Sequence, residues 1–213
     1  MYANKYFFNK IMAALFMLSS MIGISSIAVA EEMSAPQALV KASTDKMMQS
    51  LKDNNAQLKA DPDLIYGLVT EVLTPNFDFE KMAKLALGKN WRGLSEAQKV
   101  RFTDEFRLLL IRTYSTAMLE YSDEKIEFLP FRDDVKTKRV QVDMEIIQTG
   151  GPAIPMSLSL YENKSDAWKV YDVKIDGISL VTNYRSTFAT EIRNDGIDKL
   201  IERLARKNEK VKS

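Results

Sequence analysis

The 213-residue sequence contains no cysteine and no histidine, and these two absences exclude most common catalytic mechanisms. The protein can have no thiol nucleophile, no disulfide, no Ser-His-Asp triad, no imidazole base and no zinc site with His or Cys ligands. A lipid-anchored lipoprotein is excluded too, because its anchor is attached to a cysteine. Carboxylate, lysine or tyrosine catalysis, a metal site of oxygen ligands, or a function without chemistry remains open.

An excess of charge of either sign is also lacking, since 30 basic residues face 29 acidic ones. A protein that binds nucleic acid needs a concentrated positive field to neutralise phosphates. We therefore predict no nucleic-acid partner.

The first thirty residues have the pattern of a cleaved signal peptide. Lys5 and Lys10 precede an apolar run over residues 11–27, and Ala28-Val29-Ala30 matches a signal-peptidase site. An uncleaved membrane anchor is the alternative, although serines and a glycine interrupt the run. We predict a signal peptide over 1–30 and a single domain over 31–213.

The first part of this domain has the 3.6-residue period of helices. Ser34-Ala-Pro36 and Asp61-Pro62-Asp63 each open a helix, and FDFEKMAKLALG forms another. Ser95 and Gln98 make a capping box, which starts a long helix that ends near Tyr121. Its apolar residues are not confined to one stripe, so we expect this helix to be covered on most sides.

The period then changes to two, which predicts about four antiparallel strands with one apolar face. The alternating apolar positions are Ile126 and Phe128, then Val140, Val142, Met144 and Ile146, then Met156, Leu158 and Leu160, and lastly Tyr171, Val173 and Ile175. After Gly177 the chain returns to helix, with Val181, Tyr184, Phe188 and Ile192 on one stripe.

Acidic residues show no positive sign of a catalytic or metal site. Asp61 and Asp63 are more simply explained as helix caps than as metal ligands. Asp143, Glu145 and Asp172 lie on the polar parity of their strands, away from the apolar face. We predict no catalytic residue, no metal site and no cofactor.

The chain instead has an excess of apolar surface. Ordinary core is the usual fate of an apolar residue. A curved sheet covered by helices could also leave a cavity, and methionine-rich walls would suit a flexible apolar ligand.

Three segments together resemble the MlaC family, the periplasmic phospholipid-binding proteins of the Mla intermembrane transport system, which are also called toluene-tolerance proteins. The segments are FDFEKMAKLALGKNWRGLSEAQKVRFTDEFRLLLIRTYSTAM, WKVYDVKIDGISLVTNYRSTF and RNDGIDKLIERL. Each motif alone is weak, whereas the ordered set is fairly specific.

The resemblance implies an α+β fold, cystatin-like or NTF2-like in general shape, in which a curved antiparallel sheet and several helices enclose a deep apolar cavity. It implies a soluble periplasmic carrier and no enzyme activity. The cargo would be phospholipid, with buried acyl tails and weak headgroup selectivity. The implied partners are an inner-membrane MCE-domain protein with its ABC transporter and an outer-membrane lipoprotein associated with porins.

Strand parity and this resemblance together predict the cavity walls. The inward candidates on the strands are Val142, Met144, Ile146, Met156, Leu158, Leu160, Tyr171 and Val173. The residues expected to close over them are Phe77, Phe79, Met82, Ile178, Val181, Tyr184 and Phe188. Arg112 and Arg185 are candidate phosphate neighbours, with a solvated or ion-paired arginine as the alternative.

Two other functions remain open. One is a small-molecule enzyme on a similar fold that uses a carboxylate or tyrosine. The other is a periplasmic chaperone or lipoprotein carrier that binds apolar protein segments or acylated proteins.

Overall fold

The structure is a computed structural model that describes residues 33–120 and 124–212, with side chains described up to residue 209. These residues belong to one compact unit. The predicted signal peptide, residues 1–30, lies outside the described residues. Within them, no helix has both the length and the apolar character needed to cross a membrane.

Seven α-helices occur in the described part of the chain. They are α1 Ala35–Asp53, α2 Asn55–Ala60, α3 Ile65–Val72, α4 Phe79–Leu87, α5 Glu96–Glu120, α6 Leu180–Asp195 and α7 Ile197–Lys212. Short 3₁₀ turns lie at Pro62–Leu64, Thr74–Asn76, Gly88–Gly93 and Val135–Thr137.

Local side-chain hydrogen bonds fix where the helices begin. At the start of α5, the Gln98 amide donates to Ser95 Oγ at 3.2 Å, and the Ser95 amide donates to Gln98 Oε1 at 3.0 Å. This reciprocal pair is the predicted capping box. Before α3, Asp61 Oδ1 accepts a hydrogen bond from the Asp63 amide at 3.2 Å, so the aspartate caps a helical turn as expected.

Five strands form one open antiparallel sheet in the order β1-β2-β3-β4-β5. They are β1 Lys125–Phe128, β2 Arg139–Ile147, β3 Ile154–Glu162, β4 Trp168–Ile175 and β5 Ile178–Ser179. The first four are the predicted strands. The fifth is a two-residue edge strand that pairs with the end of β4.

One face of the sheet is apolar and buried. Val140, Val142 and Met144 of β2 are buried, whereas the alternating polar residues of β2 point to the other face. Val40 of α1 and Leu180 of α6 pack on this buried face. The helices therefore cover this apolar face of the sheet.

Two further clusters are built mainly from helices. One joins α4, α5, α6 and α7 around Phe102 and Phe106, which are both fully buried. Burying each phenylalanine contributes about 1.5–3 kcal/mol to stability. The other cluster joins α1, α2 and α3 to Ile111 of α5. As predicted, α5 is buried on several sides, because it contributes to both clusters.

Candidate functional site

A cavity of about 460 Å³ lies between the apolar face of the sheet and helices α1, α3 and α5. Its volume falls within the range of about 300–1,000 Å³ that is usual for ligand pockets. The strands contribute Ile126, Met144, Ile146, Ile154, Met156, Leu158, Val170, Val173 and Ile175 to its wall. The helical side includes Leu39, Val40, Met47, Met48, Leu51, Val69, Leu73, Met82, Leu110, Ile111, Met118 and Leu180.

The wall carries no charge among the residues that the structure describes. Its polar members are limited to Ser43, Thr44, Thr74, Asn76, Tyr114 and Ser115. Such a surface solvates hydrocarbon well and solvates an ion poorly. The cavity therefore suits a long, flexible apolar ligand, and its methionines can adjust to the ligand's shape.

Residues 74–78 close the cavity along the edge of β4. Phe77 bridges to Val170, and the Asp78 amide donates to the Val170 carbonyl at 2.9 Å. The Phe77 and Phe79 rings stack with their centroids 5.7 Å apart, and both rings line the cavity. This segment thus forms a wall where the short strand β5 leaves the sheet edge uncovered.

Eight of the fifteen predicted wall residues line the cavity. They are Phe77, Phe79, Met82, Met144, Ile146, Met156, Leu158 and Val173. All of them lie on the apolar parity of their strands or on the FDFEKM segment.

Three predicted strand residues lie elsewhere, and their expected place on the wall needs correction. Val142 and Leu160 are buried, but they pack in the core on the sheet together with Val140 and do not line the cavity. Tyr171 is displaced by a β-bulge: Ser159 pairs with Asp172 and Leu160 with Val170, so Tyr171 has no partner on β3. A bulge adds one residue to a strand, so the side chains before it point to the opposite face from the one that strict alternation predicts. Val170 therefore takes the inward position predicted for Tyr171.

The four predicted residues after Gly177 also lie outside the cavity wall. Ile178 is 60 % exposed on the edge strand β5. Val181 and Phe188 are buried in the helical cluster, where the Phe188 ring meets the Phe102 ring edge-on at 5.5 Å. Tyr184 stacks on Phe188 with the ring centroids 5.2 Å apart. Among residues 178–181, only Leu180 lines the cavity.

The physical reason is the position at which α6 starts. Asp172 accepts hydrogen bonds from Ser179 Oγ at 2.6 Å and from the Val181 amide at 3.2 Å. Because a carboxylate at a helix N-terminus satisfies free amides there, it fixes the first turn. From that start, α6 runs along α4 and α7. Its apolar stripe therefore packs mainly among other helices, away from the cavity.

Sequence reasoning missed the contribution of α1 and α3 to the wall. The apolar positions of α1, among them Leu39, Met47 and Leu51, are visible as a helical period. That period shows only that one face of the helix is buried. Nothing local indicates that this face meets a cavity, because the contact is made with distant strands.

Two tyrosines, Tyr114 on the cavity wall and Tyr161 beside Asp78, have raised pKa values. Burial, and then the neighbouring Tyr184, which is also its hydrogen-bond partner, raises the pKa of Tyr114 to about 12. Burial, followed by a hydrogen bond from its hydroxyl to Asp78, raises the pKa of Tyr161 to about 12. Both hydroxyls therefore stay protonated at physiological pH.

The two candidate phosphate neighbours lie outside the cavity wall. Arg185 Nε donates to the Leu85 carbonyl at 2.8 Å, close to the end of α4, where a cation complements the free carbonyls. Arg112 lies on α5 and does not line the cavity.

The comparison with protein families decides the relationship. The family model described as MlaC protein matches residues 41–206.

The chain belongs to the MlaC family.

Curated members of the family are similar to most of the chain. It is 29 % identical over 170 residues to the toluene tolerance protein ttg2D of Pseudomonas putida, covering 78 % of each chain. It is 26 % identical over 183 residues to the intermembrane phospholipid transport system binding protein MlaC of Haemophilus influenzae, covering 85 % of each.

A solved structure of similar fold contains a phospholipid. The phospholipid-binding protein from Ralstonia solanacearum, solved in complex with a phospholipid, matches with a TM-score of 0.75 and 25 % sequence identity. The match covers 84 % of this chain and 100 % of that chain. Both expectations from the sequence, a relationship to the MlaC family and an α+β fold, are confirmed.

Proposed function

We propose that this protein is a periplasmic carrier that shuttles phospholipids between the outer and inner membranes and so maintains the lipid asymmetry of the outer membrane. The observation that carries the proposal is the uncharged apolar cavity between the sheet and helices α1, α3 and α5. Membership of the MlaC family and the phospholipid bound to the Ralstonia solanacearum protein support it.

The cost of exposing a lipid to water explains why such a carrier is needed. Burying one methylene contributes about 0.8 kcal/mol, so two tails of about 15 methylenes each represent on the order of 24 kcal/mol. A free phospholipid therefore cannot cross an aqueous compartment quickly. A carrier must offer a cavity as dry as the bilayer, and this cavity has a wall of that kind.

The sequence supports a place of action in the periplasm. Residues 1–30 would direct export and then be removed, which leaves residues 31–213 as a single lipid-binding domain in the periplasm. The name of the Haemophilus influenzae relative, an intermembrane phospholipid transport system binding protein, agrees with this location between two membranes.

The proposed partners would load and unload the cavity. They are an inner-membrane MCE-domain protein with its ABC transporter and an outer-membrane complex of a lipoprotein with porins. Release would need no catalysis, because a docked partner that competes for the tails suffices. The names of the relatives describe binding, transport and tolerance, and none describes a catalytic activity.

The lipid contacts we propose are the eight predicted residues that line the cavity, together with the apolar residues of α1, α3 and α5 that face them. Val142, Leu160, Tyr171, Ile178, Val181, Tyr184 and Phe188 are not proposed as lipid contacts, because they lie outside the wall.

Native mass spectrometry of the protein, purified gently from cells, tests the function. We expect a bound mass equal to a phospholipid, which organic solvent extracts. Protein that is always free of lipid would contradict the proposal. A copurified polypeptide in place of lipid would favour the chaperone or lipoprotein carrier.

A further inference from the structure

The polar residues of the cavity are unevenly distributed. Four of the six, Ser43, Thr44, Thr74 and Asn76, come from the middle of α1 and from the turn at Thr74–Asn76. Asn76 Nδ2 donates to Ser43 Oγ at 2.8 Å and ties these two segments together. All four residues are half-buried. We call these four residues the polar niche.

Part of the hydrogen-bonding capacity of the polar niche is already used. The Ser43 hydroxyl donates to the Leu39 carbonyl at 2.8 Å, and the Thr74 hydroxyl donates to the Thr70 carbonyl. In contrast, the Thr44 hydroxyl makes no hydrogen bond within the described residues, and Asn76 uses only its amide nitrogen there. Thr44 and Asn76 thus have donors and acceptors left for a ligand.

The two remaining polar residues of the wall offer little to a ligand. Tyr114 is hydrogen-bonded to Tyr184. Ser115 is fully buried, and its Oγ is not accessible from the cavity. The reachable, unused polar groups of the cavity therefore lie in the polar niche.

The polar niche lies at one side of the cavity. Asn76 immediately precedes Phe77, which bridges to Val170 at the edge of β4. Ile126 lies on β1, three strands away from that edge, and it pairs with Ile146, whereas Val170 pairs with Leu160 opposite Val140. Between them the wall is apolar, with Met144, Ile146 and Met156 as its strand side chains.

We propose that the polar niche holds the glycerol-ester end of the bound phospholipid and that the acyl tails run from there across the sheet towards β1. This proposal rests on the proposed function as a phospholipid carrier. A few placed polar groups in an apolar pocket fix a ligand's orientation. The Thr44 hydroxyl and the Asn76 side-chain amide can donate hydrogen bonds, and the ester carbonyl oxygens of a phospholipid are acceptors of that kind.

Photo-crosslinking of the full-length mature protein tests the orientation without any mutation. Two phosphatidylcholine probes are loaded, one with a diazirine close to the glycerol and one with a diazirine at the end of an acyl tail. We expect the glycerol-side probe to label peptides that contain Thr44 or Asn76. The tail-end probe should label peptides that contain Ile126 or Met144. Labelling in the reverse arrangement overturns the proposal.

The Thr44→Val variant tests the hydrogen bond itself, because valine keeps the shape of threonine and removes its hydroxyl. We compare dipalmitoyl phosphatidylcholine with its ether-linked analogue, which lacks the carbonyl acceptors. One hydrogen bond is worth about fivefold in affinity, so the dissociation constant of the ester-linked lipid should rise about fivefold. The value for the ether-linked lipid should stay the same.

Thr190→Val is the matched control, since Thr190 is an exposed threonine on α6 whose hydroxyl donates to the Ser186 carbonyl. It should change neither dissociation constant. If Thr44→Val changes the dissociation constants of both lipids equally, or changes neither, the polar niche does not hydrogen-bond to the ester oxygens. Wild-type protein that holds no lipid at all overturns the carrier function together with this proposal. Lipid bound in the reverse orientation overturns only the proposed role of the polar niche.

Discussion

A negative charge on the sheet side of the cavity should expel the lipid, and Ile146→Glu is the sharpest such change. Ile146 pairs with Ile126 on one side and with Ile154 on the other, and all three line the cavity. Because no charged residue lines the described wall, the new carboxylate finds no cation to neutralise it.

The magnitude follows from the burial of a charge. Removing an unpaired ion from water costs several kcal/mol, even after local relaxation. Ile146 is half-buried, so the carboxylate keeps part of its hydration, and about 3 kcal/mol is a reasonable penalty on lipid binding. Since about 1.4 kcal/mol corresponds to tenfold, affinity should fall by about two orders of magnitude.

Ile178→Glu is the matched control, because it makes the same chemical change at an isoleucine that is 60 % exposed and outside the cavity. Exposed substitutions of this kind change stability by about 0.5 kcal/mol or less. We expect this variant to retain its lipid.

The assay is native mass spectrometry of both variants purified in parallel, with thermal unfolding followed by circular dichroism to show that both are folded. Ile146→Glu should be detected without bound lipid, and Ile178→Glu should be detected with bound lipid. Equal lipid content in the two folded variants would refute the placement of the cavity wall.

The helical core and the cavity should respond separately to mutation. Phe188→Leu removes part of a buried aromatic cluster and should lower the free energy of unfolding by about 1–2 kcal/mol, measured in urea, with lipid content unchanged; an empty variant would contradict this. Asp172→Ala removes the acceptor for Ser179 Oγ, and should cost about 1–2 kcal/mol in the same assay; wild-type stability would contradict the capping role. The pKa of Tyr161 is raised from 10.0 to about 12 by burial and by Asp78, so its neutral form stabilises the fold below pH 10 and this contribution disappears as the pH rises through 12. In Tyr161→Phe the free energy of unfolding should therefore fall less steeply between pH 10 and about 12 than in the wild type. The same slope in both proteins would contradict this contribution of Tyr161.

The alternation of apolar residues predicted the cavity wall correctly only where the pairing between strands is regular. On β2 and β3 the alternation predicted Met144, Ile146, Met156 and Leu158, which all line the cavity. On β4 the bulge opposite Ser159 and Leu160 moves Tyr171 out of register. The sequence has no glycine or proline at this bulge to mark it. A bulge without such a marker is decided by how the strands pair.

The sequence by itself determined the class of the fold and the local structure. The capping box at Ser95, the period of the helices and the alternation of the strands depend on neighbours a few residues apart, so they can be read directly from the chain. The motifs also sufficed to indicate the MlaC family. The absence of cysteine and histidine narrowed the possible chemistry on its own, because it removes whole classes of nucleophile, base and metal ligand.

Only the tertiary structure decided which buried residues face other side chains and which face the cavity. Val181 and Leu180 are adjacent in the chain and both are buried, yet Val181 packs among helices whereas Leu180 lines the cavity. A hydrophobic period records that a residue avoids water and carries no information about what replaces the water. That choice depends on where distant elements meet, here the sheet with α1, α3 and α5.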